Sequence, residues 1–379
     1  VILSEFLAIL FIKNKKRRSI NNEYNLIEIN ISNGKVYLVT ILCIIMTLLY
    51  YLNIRSIGIR IGLNVGSAIS LIKSNYQDTT MRLNVVVRQG YKFITAFAYI
   101  SLLVFINNML AKKNIKKNFI HLIPSVCLVI VSILSGGRVD IIRLLSAAFL
   151  FYIVLSKEKN GWSIRKQKKT TWYFVKVAVP LIFVVAIIMT QLRTITKGDI
   201  TSNNLTNILD YVAYYIGGPL QVLNTKIHNG ILNYRLEYWG ELTFRGFWNF
   251  ISKYGFTKEY IPLNLSSYEY LMVHLGIGGN TDTFVGPPLF DFGYLGMLIV
   301  VILEFGVICT CYYKKLYYTQ NSYVRNKRLL IYGFCFFIVT MSYYENCMYT
   351  VLSQTGLISI IFLLVGYWFY FKAKIVIKH

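Results

Sequence analysis

Lysine and arginine recur in runs between the apolar stretches of this chain: KNKKRR (13–18), KK…KK (112–117), RKQKK (165–169), KK…RNKR (314–328) and KAKIVIKH (372–379). Each run falls where every second connection between membrane-crossing helices would lie. Lysine and arginine are retained on the cytoplasmic side of a membrane, so this alternation sets an orientation. A spanning helix needs about 20 apolar residues. Stretches at 36–54, 91–110, 118–134, 140–156, 173–191, 290–312, 329–347 and 355–371 meet that need. The apolar residues before KNKKRR read as the inner end of a further, truncated helix. With 13–35 inside, the loops 111–117, 157–172 and 313–328 and the tail are inside too, and no helix has to be added or dropped. The expected fold is all-α: a polytopic integral membrane helical bundle with one large extracytoplasmic loop region.

Composition agrees with that reading. The 379 residues are 55% hydrophobic and 16% aromatic, too apolar for a soluble domain of this length. A net charge of +24 would suggest nucleic acid elsewhere, but 24 of the 40 basic residues lie in the five inner stretches. Topology and anionic headgroups account for them, so membrane lipids are expected partners and nucleic acid is not. Cys43, Cys127, Cys309, Cys311, Cys335 and Cys347 lie in or beside apolar segments without a CxxC pair, which points to free thiols. Walker A, GxGxxG, HExxH and DxD patterns are absent from the sequence, so no cofactor or metal is expected.

Three regions follow. Residues 1–191 hold the N-terminal helices with an outer loop at 55–90. Residues 192–289 form the large outer loop, and 290–379 the C-terminal helices and inner tail. Within the large loop, NILDYVAYYIGGPLQVL (207–223) is apolar but interrupted by Asp210 and Gly217-Gly218-Pro219. A span here would put every later basic loop on the wrong side, so a re-entrant or interface-lying helix is expected.

Positive charge outside runs against the general bias and asks for a reason. The outer arginines are Arg55, Arg60, Arg82, Arg88, Arg138, Arg193, Arg235 and Arg245, with Arg143 just inside a helix. A guanidinium is permanently charged and binds phosphate oxygens through two hydrogen bonds. The alternatives are contact with lipid headgroups and carboxylate pairing. The strongest local signal is LSGGRVDIIR (134–143), a tight outer turn with Arg138 at its mouth. Asp140 either caps the next helix or binds substrate. Arg143, three residues on, either pairs with Asp140 or serves a function in the bundle.

A Gly-Gly-Arg outer turn followed by a helix pair and one very large outer loop resembles the Wzy family, the O-antigen and capsular oligosaccharide repeat-unit polymerases of bacteria. YYIGGPLQVLN (214–224) and GGNTDTFVGPPLFDFGYLGMLIV (278–300) are similar to family positions. So are the Arg-x10-Gly spacings of Arg235 with Gly246 and Arg55 with Gly66. The resemblance implies a glycosyltransferase-type polymerase in the bacterial cytoplasmic membrane. It would use undecaprenyl-pyrophosphate-linked oligosaccharides, with a chain-length regulator and a flippase as partners.

The leaving group would be a lipid pyrophosphate, which calls for cations. Arg138, Arg193 and Arg235 are the expected catalytic arginines, with Arg143 and Arg245 binding substrate. The acceptor hydroxyl calls for a base, and His274 is preferred over His228 by analogy with a histidine of the related O-antigen ligases. Glu237, Glu241, Glu269 and Asp282 are the other candidates, and Glu237, Glu241 and Asp282 are also assigned to substrate binding. Asp291 either caps the helix it opens or meets substrate. Trp239 and Trp248 either stack on sugar rings or sit at the membrane interface. A flippase for the same lipid-linked unit, or another transferase using a lipid-linked donor, is the alternative. The sequence shows no internal repeat, which counts against a transporter.

Overall fold

The computed structural model describes residues 26–74, 83–111, 118–137, 139–160, 176, 205–228, 238–253, 271–274, 277–279, 281–317, 319 and 321–373. They belong to two compact units, one of residues 19–203 with 359–379, the other of residues 1–18 with 204–358. Among the described residues the architecture is helical, with one two-stranded antiparallel hairpin. Five of the described helices are long and apolar enough to cross a membrane.

In the first unit these are α1 (Asn33–Arg60), α3 (Val85–Leu110) and α5 (Val139–Lys159), with part of a fourth that closes the chain. The short α2 (Val65–Ser74) follows α1, and a 3-10 turn (Phe119–Leu122) leads into α4 (Ile123–Leu134). The helix α3 is the centre of this unit, packed on α1, α4 and α5. Ile94, Ala98, Leu103 and Val104 on α3 are fully buried together with Val131 on α4 and Phe151 on α5.

Both ends of the stack are closed by polar side chains serving backbone groups. Asn84 caps α3 by accepting from the Val86 N–H at 2.9 Å. The extended segment before α1 is held by two asparagines on α3. Asn108 accepts from the Ile29 N–H at 2.9 Å and donates to the Ile29 carbonyl at 3.0 Å, and Asn107 donates to the Ile27 carbonyl at 3.0 Å. A carboxamide offers the donor and acceptor that a neighbouring strand would, so the segment is paired without a sheet.

In the second unit α6 (Leu205–His228) runs through Pro219, and α7 (Arg245–Lys253) follows a turn at 238–244. Strands β1 (Leu271–His274) and β2 (Ile277–Gly279) pair antiparallel, and β1 lies against α6. The helix α8 (Gly286–Cys311) kinks at Gly293, where φ is 68°. After it come a π-helical turn (Tyr312–Tyr317), α9 (Ser322–Cys335), α10 (Phe337–Thr340) and α11 (Met348–Leu352). The last helix, α12 (Gln354–Phe371), starts in this unit and enters the first at Ser359.

Most expected spans are found as helices within a few residues of their limits, and 173–191 lies outside the described residues except for Lys176. Within the expected outer loop at 55–90, α1 continues to Arg60, α2 occupies Val65–Ser74 and α3 starts at Val85, while 75–82 lie outside the described residues. One expectation is corrected. The segment 329–347 is not one helix. It divides at Phe336 and ends in turns at 341–344, because the Ser342 and Tyr344 carbonyls accept from Phe284 and Thr283 instead of from their own helix.

Replacing Asn108 by Ala would orphan both polar groups of Ile29. The expected loss is about 1–3 kcal/mol, read as a lower melting temperature of the detergent-purified protein.

Candidate functional site

Polar and charged side chains gather at one place in each unit. In the second unit the organising contact is between backbones. Thr283 N–H donates to the Tyr344 carbonyl at 3.2 Å, and Phe284 N–H to the Ser342 carbonyl at 2.9 Å. The Asn346 amide donates to the Phe284 carbonyl at 3.3 Å. Thr283 adopts φ 64°, a left-handed conformation that costs a β-branched residue on the order of 1–3 kcal/mol and persists because both neighbours are pinned.

Two ion pairs flank this ladder. Asp282 accepts from Lys226 of α6 at 2.9 Å, with Lys226 1% and Asp282 9% exposed. The ammonium lies 5.4 Å from the centre of the Phe290 ring. Charges this deep are tolerated only when paired, so the two residues lock the end of α6 to the start of α8.

Arg245, the first residue of α7, donates to Glu345 at 2.9 Å while its guanidinium carbon lies over the Tyr349 ring, 3.5 Å from the centre. The Tyr349 hydroxyl donates to the same Glu345 oxygen at 3.0 Å. Burial, and then the Glu345 carboxylate, push the Tyr349 phenol well above the usual tyrosine range, so it remains a donor at any physiological pH. Both members of the Arg245–Glu345 pair keep 27% exposure, so the guanidinium is fixed yet reachable.

Gly246 explains how α7 comes so close. A Cβ there would lie 2.1 Å from the Tyr349 carbonyl oxygen. Asp291 does not cap the helix it was expected to open. Its carboxylate accepts from the Leu242 N–H at 3.2 Å and the Thr243 N–H at 2.6 Å, which folds the 238–244 turn onto α8. Glu241 is buried in that turn.

The first unit holds the other cluster. The Ser-Gly-Gly turn is a helix stop: Gly136, at φ 64°, donates to the Ile133 carbonyl at 3.0 Å, and Gly137 N–H reaches the Ser132 carbonyl at 3.0 Å. These two bonds are the Schellman arrangement, which requires a left-handed residue that glycine supplies without steric cost. Directly after it Asp140 accepts from the Tyr91 hydroxyl of α3 and from Arg143 at 3.3 Å. A cavity of about 320 Å³ opens beside the turn, lined by Tyr50, Ile54, Ile69, Ile72, Leu83, Leu134 and Ser135.

Of the residues singled out from sequence, Arg245, Asp282 and Glu241 fall within one unit, close to the 282–284 ladder or the turn packed on α8. Arg143 belongs to the other unit and pairs with Asp140. His274 ends β1, its backbone paired with Ile277, and its side chain lies outside the described atoms. Arg138, Arg193, Arg235 and Glu237 lie outside the described residues. Sequence reasoning missed Lys226, Glu345 and Tyr349. The adjacent polar residues Glu345 and Asn346 at the end of an apolar run were the available signal. Among the described residues no group of three or more His, Cys, Asp or Glu is arranged to hold a metal ion. The chain matches no protein family, no curated protein and no solved structure.

Asp282→Ala leaves the Lys226 ammonium buried and unpaired, with an expected cost of about 3–5 kcal/mol. The double change Lys226→Met with Asp282→Leu should recover most of it in the same melting measurement. Gly246→Ala should destabilise by about 1–3 kcal/mol. Gly217→Ala, where a Cβ meets nothing within 4 Å, should be neutral or gain up to about 1 kcal/mol.

Proposed function

We propose that this chain is an integral membrane protein of the bacterial cytoplasmic membrane that polymerises lipid-linked oligosaccharide repeat units on the outer face. A hydroxyl of one repeat unit attacks the anomeric carbon of the growing glycan. The bond from that carbon to the pyrophosphate oxygen breaks, and undecaprenyl pyrophosphate leaves with the electron pair. The hydroxyl proton passes to a base, with His274 the preferred candidate.

The observation that carries the reading is Arg245, a guanidinium held between Tyr349 and Glu345 with part of its surface open. A cation fixed before the reaction stabilises charge that develops on a leaving group without having to reorganise. Asp282 is not free to reach an acceptor hydroxyl, because its carboxylate is buried and occupied by Lys226 at 2.9 Å. That leaves its role structural and strengthens the case for His274. The tightness of the Gly246 contact gives that glycine a physical role: it seats the helix that presents Arg245.

The test is the lipid-linked glycan profile of a deletion strain. Single repeat units exposed outside, with no longer chains, are expected. Complementation with Arg245→Ala should lower polymer by about 100-fold or more, and His274→Ala and Arg138→Ala should fail in the same assay. Single units trapped on the inner side would make the protein a flippase, and normal polymer would remove the proposal.

A further inference from the structure

The turn at 238–244 and α7 carry an aromatic surface that the proposed reaction does not use. Trp239 is 73% exposed and Phe247 47%. The Trp239 ring stacks on Phe244 at 5.8 Å and meets Phe292 at 4.9 Å, while Tyr238 and Trp248 pack at 5.0 Å. Trp248 Nε1–H donates to the Trp239 carbonyl at 3.2 Å, joining turn and helix into one layer.

The sequence of α7, RGFWNFISK, is amphipathic. Phe247, Trp248, Phe250 and Ile251 share one side, and Arg245, Asn249, Ser252 and Lys253 the other. In water such a helix buries its apolar side against the protein. Here that side is only partly covered, with Trp248, Phe250 and Ile251 half-buried and Phe247 exposed, and the close contacts are made from its border: Arg245 on Tyr349 and Glu345, and Gly246 on the Tyr349 backbone. Phe247 is left facing away. That orientation suits a surroundings that is itself apolar on one side.

The neighbouring helix says what those surroundings are. Only 6% of the most apolar 18-residue window of α8 is buried. Tyr294, Leu295, Leu298, Ile299, Leu303 and Val307 are 50–73% exposed, a lipid-facing flank that starts just after the Gly293 kink. Phe292, which Trp239 touches, is the residue before that kink. The exposed aromatics are therefore continuous with the upper end of the lipid-facing flank, at the depth where tryptophan is enriched in membrane proteins.

We propose that the 238–244 turn and α7 form an in-plane anchor seated in the headgroup and upper acyl region of a phospholipid bilayer. The anchor rests on the membrane part of the proposed function and is independent of the chemistry. It places Arg245, on the edge of α7 turned to the protein, at headgroup level.

The experiment uses the full chain in phosphatidylethanolamine and phosphatidylglycerol vesicles whose acyl chains are brominated at shallow or deep positions. Difference emission between the native chain and Trp239→Phe isolates Trp239, and Trp368→Phe isolates Trp368 of α12 as a control. Loss of most Trp239 emission with shallow bromines, less with deep ones and little with aqueous acrylamide is the expected result. Quenching of Trp239 by acrylamide alone would place the layer in water and overturn the anchor. Protection from both quenchers would mean that a glycan or a protein surface covers it, and would overturn the anchor equally. Quenching of Trp368 but not Trp239 by bromine would leave the membrane reading standing and remove the anchor. Quenching of neither would remove both.

Discussion

Residues 282–284 and 341–346 run beside each other, and the Lys226–Asp282 and Arg245–Glu345 pairs depend on their pairing. Backbone N–H and carbonyl groups away from water must find partners, and here two irregular segments satisfy each other. Once Thr283 and Phe284 have donated to Tyr344 and Ser342, Asp282 stands beside Lys226 on one flank and Glu345 beside Arg245 on the other. The pairing also ends a helix, because carbonyls claimed by another segment cannot close the next turn of their own. A break in a helix and the position of a cation are thus consequences of one contact.

The cluster of the first unit is built on a different device. A Schellman stop turns the chain between α4 and α5, and Asp140 in the first turn of α5 ties back to Tyr91 of α3. Arg143 balances the carboxylate from within the same helix. Three consecutive small residues, Ser135, Gly136 and Gly137, fulfil the needs of a helix end, so the pattern that suggested a close approach to substrate is first a device of chain reversal.

The helices were legible because their apolar runs have the length a membrane demands and are separated by charge. Hydropathy does not report backbone pairing, however. The run at 329–347 looks continuous until the partners of Ser342 and Tyr344 are known. The same limit hid Glu345, which falls inside the stretch 329–347 and is the carboxylate that holds Arg245. Lys226 was overlooked for a related reason: at the polar end of α6 it offered no pattern, and its partner lies 56 residues away. Arg245, Asp282 and Glu241 were legible as charges in an outer loop. Their neighbours were not, since proximity across 100 residues leaves no mark in a single sequence.

Tyr349 has an effect on Arg245 beyond keeping it in place. A free guanidinium is a flat ion with two equivalent sides. With a ring 3.5 Å beneath it and a carboxylate on one end, those sides cease to be equivalent. The ion becomes handed: the hydrogen bonds it can still donate are offered only into the uncovered half-space or along the remaining edge.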